Sequence, residues 1–329
     1  MLTWGEKRYH SMDYDLKRAY GEKVYKVTIN AGMTCPNRDG TLGTGGCIFC
    51  GAGGSGDFAG DASLPVAAQL AAGKKTLREK RPVRLFIAYF QAFTNTYAPM
   101  DELERIYMEA VLDPDVVILS IATRPDCLGE DVLDLLEHVN KIKPVWVELG
   151  LQTIHPRTAA WIRRGYDLPV FECAVRELRK RRIDVIVHTI LALPGESREM
   201  MLETIDYLSR HDIQGVKLQL LHVLAGTDLA GIYHEQPFRV PTLDEYVSLA
   251  GDCIARLRPD ITIHRLTGDG PSDLLIAPLW STNKRGVLNA LHRHLKEKDI
   301  WQGKEAACFA ERPHESSGKE YHDRDTHLI

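Results

Sequence analysis

The sequence predicts an α/β protein whose parallel strands form a partly or fully closed barrel. Short apolar or β-branched runs recur along the 329 residues with amphipathic stretches between them, which is the pattern of repeated strand-helix units around a parallel sheet. Six or seven such units are expected, and they fit one barrel domain. The residues that follow the runs are rich in glycine, cysteine and polar side chains, and barrel enzymes carry their chemistry at that end of the strands.

The expected strands and helices alternate along the chain. Strands are expected near 23–29, 83–89, 116–122, 145–151, 184–191, 215–224 and 261–266. Helices are expected near 64–80, 100–111, 129–141, 168–182, 197–210, 242–258 and 283–298. Ser197 stands just before one helical pattern, so we expect its hydroxyl to cap that helix.

Three segments are expected within this plan. Residues 1–270 are predicted to form the core barrel with an N-terminal cysteine loop, and residues 271–302 a C-terminal helical extension. Residues 303–329 carry many charges and the run Ser316-Ser317-Gly318, so they are predicted to be a flexible polar tail.

Composition indicates a globular protein of the cytoplasm. Apolar residues make up 44% of the chain and charged residues 26%, which is an ordinary balance for a packed domain. No apolar run approaches the roughly 18 residues that span a bilayer, and the first ten residues contain no signal sequence. We therefore expect no membrane partner. The net charge of −4 excludes a global positive field, although the basic runs 179–182 and 283–298 could be either solvated helix faces or phosphate contacts.

Three of the seven cysteines lie close together. Cys35, Cys47 and Cys50 form a C-x11-C-x2-C pattern in the glycine-rich loop TCPNRDGTLGTGGCIFC, directly after the first expected strand. Backbone N–H groups of such a loop can donate to cluster sulfurs. Three thiolates on a four-iron cluster leave one iron without a protein ligand, and that iron could chelate the amino and carboxylate groups of a methionine. The pattern therefore favours a [4Fe-4S] cluster with an open iron.

Other interpretations of these cysteines exist. A zinc site would need a fourth ligand, and no histidine lies near enough in sequence to complete a familiar ribbon. A redox pair of Cys47 and Cys50 would need neither Cys35 nor the glycines. Inert buried cysteines do not suit a glycine-rich loop. The remaining cysteines are interpreted as packing residues, namely Cys127, Cys173, Cys253 and Cys308.

The cysteine loop resembles that of the radical S-adenosylmethionine (SAM) superfamily, in which it opens a partial (β/α)6 TIM-type barrel. The long first gap departs from the commoner C-x3-C-x2-C spacing, and such a gap is typical of only certain branches of the superfamily. The segment VELGLQTIHPRTAAWIRRGY, residues 147–166, resembles the coproporphyrinogen oxidase branch and the radical SAM domain of the Elongator catalytic subunit. With CPNRDG and HRLTGDGP, the chain is similar to the YhcC/YtqA-like family over roughly residues 5–300. The implied fold is a partial (β/α)6 radical SAM barrel with a C-terminal helical extension.

The resemblance also implies site residues and cofactors. The cofactors are a [4Fe-4S] cluster and SAM. The implied cluster ligands are Cys35, Cys47 and Cys50, and the implied SAM contacts are Phe49, Gln91, Thr123, Gln152, Arg164 and His188. Ala122 stands where relatives often carry a glutamate, so one usual contact is missing.

Each polar SAM contact has a plainer interpretation. Gln152 could satisfy a neighbouring backbone group, Arg164 could form a surface ion pair, and His188 could be a hydrogen-bonded core histidine. Asp269 and Arg265, near the barrel mouth, could serve substrate binding.

By resemblance, the expected reaction is reductive cleavage of SAM to a 5′-deoxyadenosyl radical. Kinship with Elongator indicates the C5 side chain of the tRNA wobble uridine as the target, with a step of the carboxymethylaminomethyl-uridine to aminomethyl-uridine type. The chain is too short for Elongator's acetyltransferase domain. Basic segments with Trp280, Trp301 and Tyr321 could bind RNA.

Expected partners are tRNA, a flavodoxin- or ferredoxin-type electron donor and a downstream methyltransferase. Two alternatives are a radical SAM enzyme acting on a small metabolite and an iron-sulfur sensor or scaffold without radical chemistry. The set of Phe49, Gln91, Gln152 and Arg164 speaks against the sensor, which would need only the cysteines.

Overall fold

The computed structural model describes residues 1–54, 56, 59–268 and 270–306. Its strands are β1 (Tyr25–Ile29), β2 (Phe86–Phe90), β3 (Val116–Thr123), β4 (Val145–Gln152), β5 (Asp184–Leu191), β6 (Gly215–Leu220), β7 (Val223–Leu224), β8 (Thr262–Arg265) and β9 (Leu275–Ala277). One sheet of the described part has the order β1-β2-β3-β4-β5-β6-β8, with every neighbouring pair parallel. Because β1 and β8 do not pair with each other, the barrel is partial, as predicted.

Helices connect the successive strands of this sheet. The α-helices are α1 (Met12–Tyr20), α2 (Val66–Lys80), α3 (Met100–Val111), α4 (Glu130–Ile142), α5 (Pro156–Trp161), α6 (Leu168–Lys180), α7 (Arg198–Ser209), α8 (Asp228–Glu235), α9 (Leu243–Arg256) and α10 (Lys284–Glu297). Six strand-helix units use α2, α3, α4, α6, α7 and α9, and β8 follows the last of them. The observed architecture is therefore the (β/α)6 arrangement that the sequence indicated, with a seventh strand added.

The two faces of the sheet pack differently. On the outer face, Phe86 and Phe90 of β2 are fully buried in the large core that the helices complete. On the inner face, Ile87, Ile118 and Trp146 join Leu16 of α1 in a separate apolar cluster. The interior of the barrel is thus filled by apolar side chains in one layer, and the polar layer of the site lies further along the strands.

Most predicted elements agree with the structure to within a few residues. The predicted N-cap is confirmed, since the Ser197 hydroxyl accepts a hydrogen bond from the Met200 N–H at 3.3 Å. The predicted strand 215–224 is wrong at its end: β6 ends at Leu220, and Val223 pairs in antiparallel fashion with Ala277 of β9. The chain leaves the main sheet because this short pairing takes over its backbone hydrogen bonds.

The C-terminal segment contains β9, a 3₁₀ helix at Leu279–Thr282 and α10, which packs against α9. The predicted division at residue 270 stays a prediction. From residue 307 onward, the predicted flexible tail lies outside the described residues, as do Cys308 and Tyr321. Within the described part, no helix has the length and apolar character needed to cross a membrane.

The N-terminal segment covers one edge of the sheet. Ser11 forms an isolated parallel bridge with Ile263 of β8, and the Ile263 N–H donates to the His10 carbonyl at 2.7 Å. An exposed strand edge offers unpaired N–H and C=O groups to other chains. The first residues of the chain thus protect the last strand of the sheet.

Candidate cofactor and active site

A cavity lies at the carboxyl ends of the parallel strands, where the barrel rule placed the chemistry. All nine predicted site residues line it: Cys35, Cys47, Phe49, Cys50, Gln91, Thr123, Gln152, Arg164 and His188. They come from the ends of β2 and β3, from β4 and β5, from the turn after α5 and from the loop after β1, so only the fold brings them together. Their roles as ligands and SAM contacts stay predictions.

The cysteine loop is held by turns and by one arginine. The Cys35 carbonyl accepts from the Arg38 N–H at 2.7 Å, and the Cys50 N–H donates to the Cys47 carbonyl at 2.9 Å. The Arg38 guanidinium donates to the carbonyls of Cys50 and Gly51 at 2.8 and 2.7 Å. These bonds fix the direction of the loop on both sides of the cysteines.

A glycine is needed inside this loop. Gly46 has φ of 73°, which glycine adopts without steric cost. A Cβ atom there would lie 2.9 Å from Arg38 Nε, so any larger residue would displace the arginine that holds Cys50. Gly46 is thus needed because the loop packs closely against the side chain of its own Arg38.

Two further contacts tie the loop to the rest of the barrel. The Asn37 side-chain amide donates to the Arg163 carbonyl at 2.8 Å and lies 3.5 Å from Cys47 Sγ. The Ile48 carbonyl accepts from the Leu229 N–H of α8 at 2.8 Å. The loop is therefore anchored to the end of α5 and to α8.

The chemistry of the three thiols fits a cluster. Cys35, Cys47 and Cys50 are half-buried thiols that line the cavity. Burial raises the pKa of the Cys47 thiol to about 11, whereas metal coordination deprotonates a thiol outright. In the described part of the chain, no three metal-binding side chains surround a single ion.

The other cysteines differ in their surroundings. Cys253 is buried and Cys127 half-buried, as expected for packing residues. Cys173 is exposed, so its interpretation as a packing residue is wrong. It lies on the outer side of α6, where the periodic pattern did not distinguish a small apolar residue from a solvated one.

Gln152 occupies a strained position at the end of β4. Its φ is 62°, a region that non-glycine residues rarely adopt and that recurs at functional sites. The register between β4 and β5 shifts at the same place. A Cβ atom on Gly150 would lie 2.7 Å from the Gln152 amide nitrogen, so Gly150 makes room for this side chain. The glutamine is therefore held toward the cavity by its backbone.

Arg164 is buried and does not form the surface ion pair that the sequence left open. Only 3% of the residue is exposed. Its guanidinium donates to the carbonyls of Leu151, Thr153 and Tyr166 at 2.9, 2.7 and 3.0 Å. These bonds fix the end of β4, so the arginine shapes the cavity wall in addition to any contact with SAM.

Phe49, Gln91 and Thr123 are placed by their neighbours. Phe49 packs on the apolar cluster that contains Ile48. The Gln91 N–H donates to the Ile29 carbonyl at 3.4 Å and so continues the pairing of β1 with β2. The Thr123 hydroxyl lies 2.6 Å from the Thr96 hydroxyl at the end of β3. Each residue lies where a strand opens into the cavity.

A buried carboxylate inside the barrel was not predicted. The Glu148 side chain is fully buried, and its Oε1 accepts from Lys26 Nζ and Ser120 Oγ, both at 2.8 Å. Its Oε2 bonds His188 Nε2 at 2.7 Å and Lys217 Nζ. Residues of β1, β3, β5 and β6 thus converge on one carboxylate of β4. His188 is a hydrogen-bonded core histidine, as one interpretation held, and it also lines the cavity.

Tyr89 joins this cluster and faces the cavity. Its hydroxyl accepts from Lys217 Nζ at 3.0 Å. The Nζ atoms of Lys26 and Lys217 lie 4.3 and 4.6 Å from its ring centroid, which is cation-π range. We name Lys26, Tyr89, Glu148, His188 and Lys217 the Glu148 cluster.

The charges of the Glu148 cluster shift its ionisations strongly. Burial alone raises the pKa of Glu148, but the ammonium groups of Lys217 and Lys26 outweigh it and hold that pKa well below its usual range. Burial and the nearby Lys217 lower the pKa of His188 to about 4. The carboxylate is therefore ionised and the imidazole neutral at physiological pH.

Sequence signals for this cluster existed. Glu148 and Lys217 each interrupt an otherwise apolar, buried strand, and a charge in such a strand is rarely left without a partner. Which residues pair was not readable, because they are 69 positions apart. Arg265 and His222 also line the cavity, whereas Asp269 lies outside the described residues.

Two family models match the chain. The Radical SAM superfamily model matches residues 3–208, and the Radical_SAM C-terminal domain model matches residues 213–297. The first match alone covers more than half of the 329 residues. The chain belongs to the radical SAM superfamily. The resemblance drawn from the cysteine loop is thereby confirmed.

Relatives of this radical SAM chain match it over most of their length. YtqA of Bacillus subtilis (strain 168) is 46% identical, with 91% of this chain and 93% of YtqA covered. YhcC of Escherichia coli (strain K12) is 37% identical, with 87% and 92% covered. The predicted kinship with the YhcC/YtqA-like family is confirmed.

A solved structure shares the radical SAM fold. Elp3 of Methanocaldococcus infernus, with its N-terminus deleted, aligns with a TM-score of 0.66 at 17% identity. The alignment covers 85% of this chain and 64% of Elp3. At this identity the likeness shows the fold, and it confirms the partial barrel.

The cofactors follow from the superfamily. Radical SAM proteins use a [4Fe-4S] cluster and S-adenosylmethionine. The three thiols that line the cavity fit that cluster. The polar groups on the facing strand ends offer donors and acceptors for the amino acid and ribose parts of SAM.

Proposed function

We propose that this radical SAM chain modifies the C5 side chain of the tRNA wobble uridine by converting carboxymethylaminomethyl-uridine to aminomethyl-uridine. The CH2 of the carboxymethyl group would lose one hydrogen atom to the 5′-deoxyadenosyl radical and one electron back to the oxidised cluster, and water would hydrolyse the resulting imine to the primary amine and glyoxylate. The observation that carries the proposal is 25% identity over 173 residues with a Methanocaldococcus jannaschii protein named tRNA uridine(34) acetyltransferase. The match covers 51% of this chain and 31% of that protein. Because most of that protein has no counterpart here, a different step at the same uridine is expected.

In this proposal the chain holds its cofactors through the predicted residues. Cys35, Cys47 and Cys50 ligate the cluster, and the six predicted contacts bind SAM. When bound, cluster and SAM supply one-electron cleavage of SAM, which gives a carbon radical able to take a hydrogen atom from a C–H bond. The protein's task is to orient the substrate carbon and to exclude other hydrogen donors.

The charge of the cavity supports a substrate with a carboxylate. Arg38, Arg124, Arg164 and Arg265 line the cavity, and Glu148 is the one carboxylate among its described lining residues. A carboxymethyl group carries one negative charge, which these cations complement. The product of the proposed step is a primary amine, so a separate methyltransferase acting on that amine is the proposed downstream partner.

The same proposal includes two further assignments. A flavodoxin- or ferredoxin-type protein is the proposed electron donor, since cleavage of SAM needs one electron. The proposed location is the cytoplasm, where tRNA and such reductants are found.

The test is an anaerobic reaction with tRNA. The native chain and Cys35→Ala are reconstituted with iron and sulfide, and dithionite, SAM and tRNA bearing carboxymethylaminomethyl-uridine are added. Mass spectrometry then measures 5′-deoxyadenosine and digested nucleosides. Aminomethyl-uridine formed by the native chain and not by the variant supports the proposal. Release of 5′-deoxyadenosine with every tRNA nucleoside unchanged overturns the tRNA step.

A small-metabolite substrate is the second candidate. The net charge of −4 favours it, because tRNA-binding proteins usually carry excess positive charge. Cleavage of SAM that no tRNA stimulates is its expected signature. Cluster binding without any cleavage of SAM would instead support the iron-sulfur sensor.

A further inference from the structure

We infer that α10 and the clefts beside it form the surface on which the RNA backbone docks, next to the mouth of the cavity. This inference rests on the proposed function for the identity of the polyanion. It assigns a partner surface to a segment that the proposed chemistry does not use.

The first support is continuity with the active site. His222 and Gly270 line both the catalytic cavity and a second cleft, whose far side is formed by Lys284 and Arg285 at the start of α10. Asn283 connects that cleft to a third, which runs along α10 to Arg293. The cavity and the two clefts are therefore adjacent from the strand ends to Arg293.

The second support is the charge of the exposed face. Arg285, Arg293 and Lys296 are exposed and form no ion pair among the described residues. At 3.6 residues per turn they lie within about 80° of one another and extend over roughly 16 Å. The buried residues of the helix, Val287 and Leu295 among them, lie on the opposite face.

Some exposed arginines elsewhere in the described part of the chain form ion pairs, whereas Arg18, Arg81, Arg157 and Arg182 do not. Arg84 binds Glu22, Arg239 binds Glu245, and Arg163 binds Asp228. What distinguishes α10 is that three cations without carboxylate partners among the described residues share one face of a single helix beside the cavity. Such a face complements a polyanion and no neutral or basic partner.

The third support distinguishes a nucleic acid strand from other anions. Trp280 lines the same groove as Arg293. Its indole N–H donates to the Pro241 carbonyl at 3.0 Å, so the ring is fixed in place while half-buried. Cations that follow the backbone beside a fixed aromatic ring are the usual platform for single-stranded nucleic acid. Chemistry on a base also requires that the base leave its stack, which suits a docking face next to a deep cavity.

The test compares two triple variants of the full chain. The docking variant carries Arg285→Gln, Arg293→Gln and Lys296→Gln. The control variant carries Arg18→Gln, Lys75→Gln and Arg182→Gln, which removes the same number of exposed cations without ion pairs among the described residues. None of the control positions lines the cavity or its clefts.

Affinity for a fluorescent anticodon stem-loop RNA is measured by anisotropy from 50 to 300 mM salt. Each lost phosphate contact reduces the magnitude of the slope of log K against log salt by about 0.7. The docking variant lacks three such contacts, so the magnitude of its slope should fall by about 2. Its affinity near 0.15 M salt should fall roughly 10- to 50-fold. The control variant should keep the native slope. Equal slopes for both variants and the native chain would overturn the inference.

A second measurement needs no variant. A 4-thiouridine next to the wobble position is photo-crosslinked to the native chain, and the attached peptide is identified by mass spectrometry. Attachment within 284–297 supports the inference, and attachment only elsewhere overturns it. The nucleoside assay is independent of both measurements, so uridine conversion with native slopes in both variants would retain the proposed function and remove only the docking surface.

Discussion

The cysteine loop and the Glu148 cluster face the same cavity but are built in opposite ways. The loop is irregular backbone, held by two of its own side chains, those of Arg38 and Asn37. In the Glu148 cluster the backbone is regular sheet, and charged and polar side chains of β1, β4, β5 and β6 hold one another. Side chains fix the backbone of the cysteine loop, whereas the regular sheet backbone fixes the positions of the side chains in the Glu148 cluster.

This difference reflects how much structural adjustment each region can tolerate. A loop that receives a metal cluster must adjust its backbone to that cluster, so its restraints lie at a few clamped points. A charge cluster in the barrel interior tolerates no adjustment, because an ammonium or carboxylate left without a partner there is strongly unfavourable. We therefore expect substitutions in the loop to act on cofactor retention and substitutions in the cluster to act on the free energy of unfolding.

The largest expected effect is at Cys47. Cys47→Ala removes one of three thiolates, and we expect the [4Fe-4S] absorbance and 5′-deoxyadenosine formation to fall to background. Iron content and visible spectra of the reconstituted variant measure this. Cys173→Ala is the matched control, because that thiol is exposed and does not line the cavity. Full cluster content in Cys47→Ala would contradict the assignment of the loop.

The next effect is at Glu148. Glu148→Gln leaves two buried ammonium groups without their carboxylate, and we expect a loss of about 3–5 kcal/mol in the free energy of unfolding, measured by urea denaturation. Adding Lys217→Met should recover part of that loss, because it removes one of the unpaired charges. A single variant as stable as the native chain would show that the cluster does not stabilise the barrel.

Arg38 should give a smaller effect of a different kind. Arg38→Gln loses charge-assisted hydrogen bonds to two carbonyls, each worth about 1.5–3 kcal/mol when buried and less here because the site is half-exposed. We expect the reconstituted cluster to be lost to a chelator at least tenfold faster, with little change in urea stability. Arg163→Gln is the control, since its pair with Asp228 is exposed and worth about 1 kcal/mol or less.

The smallest effect concerns the titration of His188. Its folded pKa of about 4 lies below the ordinary value of 6.5, so the unfolded chain binds more protons between these values. The contribution of His188 to stability is thus complete above pH 6.5 and decreases as the pH falls toward 4. Neutral His188 should add no inflection to activity between pH 7 and 9, and its ring protons, followed by NMR, should titrate near pH 4. Titration near 6.5 would contradict burial beside Lys217.

The sequence predicted the repeating part of the fold and singled out three cysteines that the fold places at the cavity. Long strands and helices repeat a period that can be read locally, so β4 and α6 were found nearly to the residue. Short elements such as α5 and β9 have no period to read and are defined by tertiary contacts. The cysteines were found because their spacing is local, whereas Glu148 and Lys217 meet only through the order of the sheet.

The bridge between Ser11 and Ile263 joins the start of the chain to the last strand of the sheet. During synthesis on the ribosome, the N-terminal segment emerges first, yet its place beside β8 exists only after some 250 further residues have been made. Contacts between such distant positions form late and slow folding. Until β8 has been made, that edge of the sheet is incomplete and Ser11 has no strand to pair with.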